Sequence, residues 1–184
     1  MDYYIDVVLK PDLEMRENVL LNKVYTKFHK ALFSLQSNDI GVSFPNCQAK
    51  LGNIIRIHGS RERLHELSVS NWLGGLSGYC EMTVAVPLPD TVKGFRTVSR
   101  KQANMSLAKL RRLEKRGSIT EAESKAYKAR MYTQGLDNPF IELESGSNGN
   151  KHRRFIEFGA LSSLPVAGKF DHFGLSRTAT IPWF

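Results

Sequence analysis

The sequence predicts an α+β protein: an N-terminal ferredoxin-like (βαββαβ) domain over residues 1–88, then a C-terminal α+β domain over residues 89–184 that carries an arginine-rich helix. Three observations predict it. Strand-like alternation and helix-like apolar spacing follow one another in the order β-α-β-β-α-β before Pro87-Leu88-Pro89, the order in which two helices cover one face of a four-stranded antiparallel sheet. Positive charge then becomes local. Between Arg96 and Arg116, eight Lys or Arg residues stand against one acid, Glu114, so that 21 residues carry +7 of the formal +8. Beyond them, two strand-like runs flank a Ser/Gly-rich loop at 145–150.

The elements of the first domain can be read in order. Tyr3 to Leu9 alternates and is rich in Tyr, Ile and Val, as a half-buried strand requires, and Lys10-Pro11-Asp12 ends it. Leu20, Leu21, Val24, Tyr25, Phe28, Leu32 and Leu35 then recur at three- and four-residue spacing, the signature of a helix stopped by Ser37-Asn38-Asp39. Ile40 to Phe44 and Ile54 to His58 read as short strands. Ser60 caps a second helix carrying Arg63, Leu64, Leu67 and Trp72, expected to end near Gly74-Gly75. Glu81 to Val86 is a fourth strand, stopped by Pro87 and Pro89. Neither central strand shows the alternating aromatics of an RNP motif, so the open sheet face argues little for RNA by itself.

The basic segment predicts a helix over about 104–116. On a helical wheel Leu107, Leu110 and Leu113 share about a third of the circle, while Lys109, Arg111, Arg112, Lys115 and Arg116 fill the opposite arc. One side docks and the other seeks a polyanion. An ordinary solvated surface helix would mix signs and pair them at i,i+4; here only Glu114 supplies a partner. A second helical stretch follows at about Thr120 to Met131. Phe140 to Glu144 and Arg153 to Phe158 then read as hairpin strands around Ser145-Gly146-Ser147-Asn148-Gly149-Asn150, and Ile181-Pro182-Trp183-Phe184 is apolar enough to pack back onto the body.

Composition excludes several classes. At 41% apolar and 10% aromatic the chain can bury a core. Asp2, Asp6 and Lys10 interrupt the first apolar stretch, and no run reaches the ~18 apolar residues of a membrane span, so a soluble cytoplasmic protein with no membrane partner is expected. Cys47 and Cys80 lie far apart without a CxxC partner and are expected as reduced, buried thiols. There is no paired-carboxylate motif, His–Cys cluster, Walker loop or HExxH, so neither a metal nor a cofactor is expected. A metal-free nuclease has one available route: the RNA 2′-OH attacks the adjacent phosphate while a base takes its proton.

His29 is the most suggestive base, because it falls at the border of the apolar stripe, about 40° past Tyr25 on the wheel. Taken alone, the residues favour the plainer reading of a boundary histidine that only hydrogen-bonds. His58 and His65 read as structural or surface residues. His152 and His172 lie in the cationic half and are able to stack on bases or meet phosphate. The loop at 145–150 offers hydroxyls and amides suited to ribose or phosphate, or is simply a turn.

These residues also carry a resemblance. The opening MDYYIDVVLKPD, TKFHKAL around His29, IGVSFP at 40–45, VSRKQA followed by LRRLEKR, the SGSNG loop and the closing FGLS and PWF resemble the Csy-type CRISPR-associated endoribonucleases of the type I-F system, which cut CRISPR precursor RNA at repeat hairpins. The resemblance covers essentially the whole chain. It implies a basic helix in the major groove of an RNA stem, entered near the stem end where that narrow groove opens. It further implies metal-independent cleavage with His29 as general base, Ser145 holding the ribose, Ser147 as the loop's second serine, and a 2′,3′-cyclic phosphate and a 5′-hydroxyl as products. Arg100 and Gln102 match a base-reading pair, where Arg suits guanine and Gln adenine. The protein would stay on its product RNA and join other subunits of the type I-F surveillance complex.

Two positions depart from the family pattern. Phe173 stands where the family can carry a tyrosine near the catalytic histidine, and a phenyl ring cannot hydrogen-bond, so His29 must be oriented from elsewhere, with His172 as a candidate. His152 aligns with the aromatic that stacks under the last base pair and presents a smaller surface. The residues leave two other readings open: a non-catalytic structural RNA-binding protein, and a DNA-binding regulator that uses the same basic helix.

Overall fold

The computed structural model describes residues 1–102, 107–133, 137–144, 149 and 151–184. Its first half runs β1 (Tyr3–Leu9), α1 (Glu17–Ser34), β2 (Gly41–Ser43), β3 (Ile54–Gly59), α2 (Arg61–Val69), β4 (Cys80–Met82) and β5 (Val86–Pro87). These strands form one antiparallel sheet in the order β2-β3-β1-β4, with β5 also paired to β1. The second half supplies β6 (Gly94–Arg96), β7 (Val98–Lys101), α3 (Leu107–Lys115), α4 (Glu121–Thr133), β8 (Phe140–Glu144), β9 (Lys151–Phe158) and β10 (Ile181–Trp183). There β10 pairs with β6, and a three-stranded sheet has the order β7-β9-β8. The chain is thus a mixed helix-and-strand protein with antiparallel sheets.

The apolar period of α1 does what its spacing requires. Leu20, Leu21, Val24, Tyr25, Phe28 and Leu32 are all buried, and burial of each such side chain contributes about 2 kcal/mol. The buried cluster joins them to Ile5, Val7 and Ile57 of the first sheet and continues into Ile141, Leu143 and Ile156 of β8 and β9. One apolar body therefore supports residues from both ends of the sequence. The amide of Glu142 donates to the Asn22 side-chain oxygen at 3.0 Å, which lays α1 along an otherwise open strand edge.

Several expectations shift. The second helix ends at Val69, earlier than Gly74-Gly75, because Asn71 turns to φ 48° and a 3₁₀ turn occupies Gly74–Tyr79. The fourth strand is not continuous from Glu81 to Val86. Asp6 donates its amide to the Thr83 hydroxyl at 3.0 Å and accepts the Thr83 amide at 3.0 Å, so a side chain replaces a ladder bond and splits β4 from β5. Strands β6, β7 and β10 are additional, being too short or too polar for a period to register. Leu110 is buried as the wheel requires, but Leu107 is 45% exposed. Positions 103–106 of the expected basic helix lie outside the described residues.

The expected Ser60 cap and the docking of the C-terminus both hold. Ser60 caps α2 by accepting the Arg63 amide at 3.3 Å. Thr120 and Glu123 form a capping box at the start of α4, with the Thr120 amide donating to Glu123 at 2.8 Å and the Glu123 amide to Thr120 at 3.3 Å. The C-terminal residues dock back: β10 pairs with β6, and the Arg56 guanidinium lies 4.1 Å from the Phe184 ring centroid. Cys47 and Cys80 are free thiols but only half-buried, short of the buried positions expected, and that partial burial pushes both pKa values up. Among the described residues, no helix is long and apolar enough to cross a membrane.

Candidate active site

His29 follows the fully buried Phe28 on α1, so its side chain emerges at the rim of the apolar stripe, half-buried. Its imidazole lies flat on the Phe173 ring, with centroids 3.7 Å apart and planes inclined by 7°. Its Nδ1 is 2.9 Å from the His172 carbonyl oxygen. A carbonyl only accepts, so Nδ1 carries the proton in this bond and the neutral ring presents a lone pair on Nε2. Burial holds the His29 pKa below its ordinary 6.5; the His172 carbonyl opposes this, and the nearby positive charge of Arg154 adds to it. The site therefore holds a neutral, oriented imidazole suited to accept a proton.

The segment beneath that ring is tied down at every peptide. Asp171 Oδ1 accepts the amides of Phe173 at 2.9 Å and Leu175 at 3.0 Å, and the Gly174 amide donates to the Asp171 carbonyl at 2.8 Å. Gly174 has φ +70°, and a Cβ there would lie 3.2 Å from both Phe28 and Val42, so glycine is needed for conformation and for space. The Tyr25 hydroxyl donates to the Phe173 carbonyl at 2.7 Å. Burial pushes the Tyr25 pKa upward, which keeps it a donor.

Orientation of His29 thus comes from the main chain of His172 and the face of Phe173. The His172 imidazole meets Phe33 edge-on at 5.3 Å instead. Arg154 holds its guanidinium 3.5 Å from the Phe173 centroid. It and His29 are too close to that centroid to share a face, so the phenyl ring is sandwiched between them.

The remaining site residues are distributed as follows. Ser145 and Ser147 lie outside the described residues. The strand ends that flank them, Glu144 and Lys151, line a groove with Lys23 and with Thr26, which stands about one helical turn before His29. His152 is exposed on the sheet face that carries Arg154 and, across the pair, Leu143. Arg100 and Gln102 line a separate groove of about 490 Å³ with Thr97, Ser99, Glu157 and Arg177, where Lys101 pairs with Glu157. Lys109, Arg111, Arg112, Lys115 and Arg116 are all exposed. Glu114, the one acid of α3, accepts the Ser124 hydroxyl at 2.6 Å and lies 3.9 Å from Lys128, both on α4. His58 is structural, fully buried and bonded to the Ser43 hydroxyl at 2.8 Å.

Residues 4–184 match the family described as CRISPR-associated protein (Cas_Csy4). The chain belongs to that family. It is 38% identical over 185 residues, covering 100% of both chains, to the CRISPR-associated endonuclease Cas6/Csy4 of Escherichia coli (strain UTI89 / UPEC). It is 35% identical over 188 residues, again covering 100% of both, to the CRISPR-associated endonuclease Cas6/Csy4 of Pseudomonas aeruginosa (strain UCBPP-PA14). Sequence reasoning placed Tyr25 only as a core position of α1 and did not single out Arg154 or Asp171 as parts of the site of this Csy4-family protein. A signal for one was present: in a strand that contains Arg153-Arg154, alternation sends one of two adjacent arginines inward.

Proposed function

We propose that this Csy4-family protein is an endoribonuclease that cuts CRISPR precursor RNA at the repeat hairpin, without a metal, and stays on the product. In this reading His29 Nε2 takes the proton of the scissile ribose 2′-OH, and the 2′-oxygen attacks the adjacent phosphorus. The bond from phosphorus to the 5′-oxygen breaks and that oxygen is protonated, leaving a 2′,3′-cyclic phosphate and a 5′-hydroxyl. The observation that carries it is the 2.9 Å contact between His29 Nδ1 and the His172 carbonyl, which reserves Nε2 for a substrate proton. The names of the two relatives support the substrate class.

The other assignments rest on the resemblance and on position. Ser145 holds the ribose and Ser147, the loop's second serine, binds the RNA; His152 stacks under the last base pair; Arg100 and Gln102 read bases from their shared groove. The exposed cations of α3 meet the stem phosphates. Residues 1–88 and 89–184 act as two domains that bring His29 and the loop at 145–150 to one ribose, and the bound protein enters the type I-F surveillance complex. Incubation of the protein with an all-ribo hairpin in EDTA, beside the same hairpin carrying one 2′-deoxy sugar at the scissile nucleotide, tests this. Cleavage of the all-ribo strand alone supports the reading. Both strands remaining intact would make the protein a non-catalytic RNA binder.

A further inference from the structure

Arg154 is an expensive residue for its position. It is only 7% exposed, and its nearest carboxylate, Asp171, lies 4.0 Å away. Among the described residues its Nε finds no acceptor. A charged group held this way costs stability unless its placement brings something else. Register explains how it is held: Arg154 pairs with the fully buried Ile141 on β8, so its side chain shares the face turned toward the core. It then covers Phe173, on the face opposite His29.

We propose that Arg154 is a positioning residue of the cleavage site, acting through Phe173 to fix the plane of the His29 imidazole and through its charge to oppose a second positive charge on that ring. The proposal rests on the reading of His29 as the base. A planar guanidinium stacked on a phenyl face attracts it and restricts its tilt, and a ring clamped on that side gives the imidazole a fixed surface to lie on. The charged groups facing His29 are Arg154 on β9 and Asp171 and His172 on the segment after it. Arg154 and His172 disfavour the imidazolium, and Asp171 favours it. Burial lowers the pKa of Arg154 without neutralising a guanidinium.

The test titrates the His29 imidazole by NMR in the RNA-free protein, alongside single-turnover cleavage and hairpin affinity. Arg154→Gln is expected to raise the His29 midpoint by about half a pH unit, to move the acid limb of cleavage by the same amount, and to slow plateau cleavage about tenfold at unchanged affinity. Asp171→Asn keeps the acceptor for Phe173 and Leu175, removes the negative charge, and is expected to lower the midpoint. Midpoints that stay put in both variants overturn the proposal, as does a loss of cleavage matched by an equal loss of affinity. If Arg154→Gln does not fold, Arg154→Lys, which keeps the charge and gives up the planar stack, is expected to leave the midpoint in place and still slow plateau cleavage, and unchanged plateau cleavage overturns the proposal. The titration needs no cleavage, so it stands apart from the reading of the enzyme: a His29→Ala protein that still cuts would remove the reaction and leave the titration result in place.

Discussion

The hydroxyl of Tyr25, fully buried on the first helix, donates at 2.7 Å to the carbonyl of Phe173, 148 positions later in the chain. That bond fastens the base of the His29 stack to the middle of the apolar core. Tyr25→Phe keeps the ring and leaves the carbonyl without its donor, so a loss of about 1 kcal/mol in urea unfolding is expected. Cleavage should slow while hairpin affinity stays the same, because Tyr25 is fully buried whereas the cations proposed to meet RNA are exposed. Unchanged cleavage at reduced stability would show that Phe173 is held well enough by Asp171 and Gly174.

Removal of the imidazole is more severe. His29→Ala is expected to cut single-turnover cleavage by a factor on the order of 10² to 10⁴, the usual contribution of a positioned general base, with affinity for the uncleaved hairpin retained. A gel-shift assay and a cleavage time course on the same preparation measure both.

The pH profile follows from the same environment. A base works in its neutral form, which prevails above its pKa, and His29 is held below the ordinary 6.5. Cleavage at pH 6.5 should therefore exceed half its plateau and fall only at lower pH. A half-maximum above 6.5 would mean that the imidazolium is stabilised in the RNA complex.

Much of this site was legible because α1 is long and strongly periodic. The spacing of Leu20, Val24, Phe28 and Leu32 fixes which face is buried and so places His29 at its rim. The segment Asp171–Leu175 was not legible, because its shape comes from one carboxylate accepting two amides and from a positive-φ glycine, and neither leaves a period. The clamp by Arg154 was hidden for a different reason: Arg153 and Arg154 look alike in sequence, and only pairing with Ile141 turns one of them inward. The short strands β6 and β10 exist because they pair with each other, a long-range fact that no local run of residues contains.

His58 gives a stability prediction that is independent of RNA. Burial first, and the nearby Arg56 charge second, push its pKa from 6.5 down to about 3. Between those values the unfolded chain takes up a proton that the folded one refuses, so folding stability falls as pH falls, by about 1.4 kcal/mol per pH unit from this residue. The urea midpoint should drop between about pH 6.5 and 4. His58→Gln should show a correspondingly flatter dependence, and an equally steep one would assign the loss to other groups.

The last prediction concerns the helix that carries the charge. Arg112 is exposed on α3, and the one acid of that helix, Glu114, accepts the Ser124 hydroxyl at 2.6 Å and lies 3.9 Å from Lys128, both on α4. If Arg112 meets an RNA phosphate, binding releases condensed counterions, and affinity falls with salt in proportion to the contacts made. Arg112→Ala should then weaken hairpin binding and reduce the slope of log affinity against log salt by about 1. The cleavage rate of RNA already bound should be unchanged, because α3 contributes no group to the His29 stack. Lys115→Ala should act the same way, since each exposed cation that meets a phosphate contributes its own increment to the slope. A base-specific role for Arg112 would give another pattern: discrimination between hairpins of different sequence would fall, and the salt slope would stay near its original value.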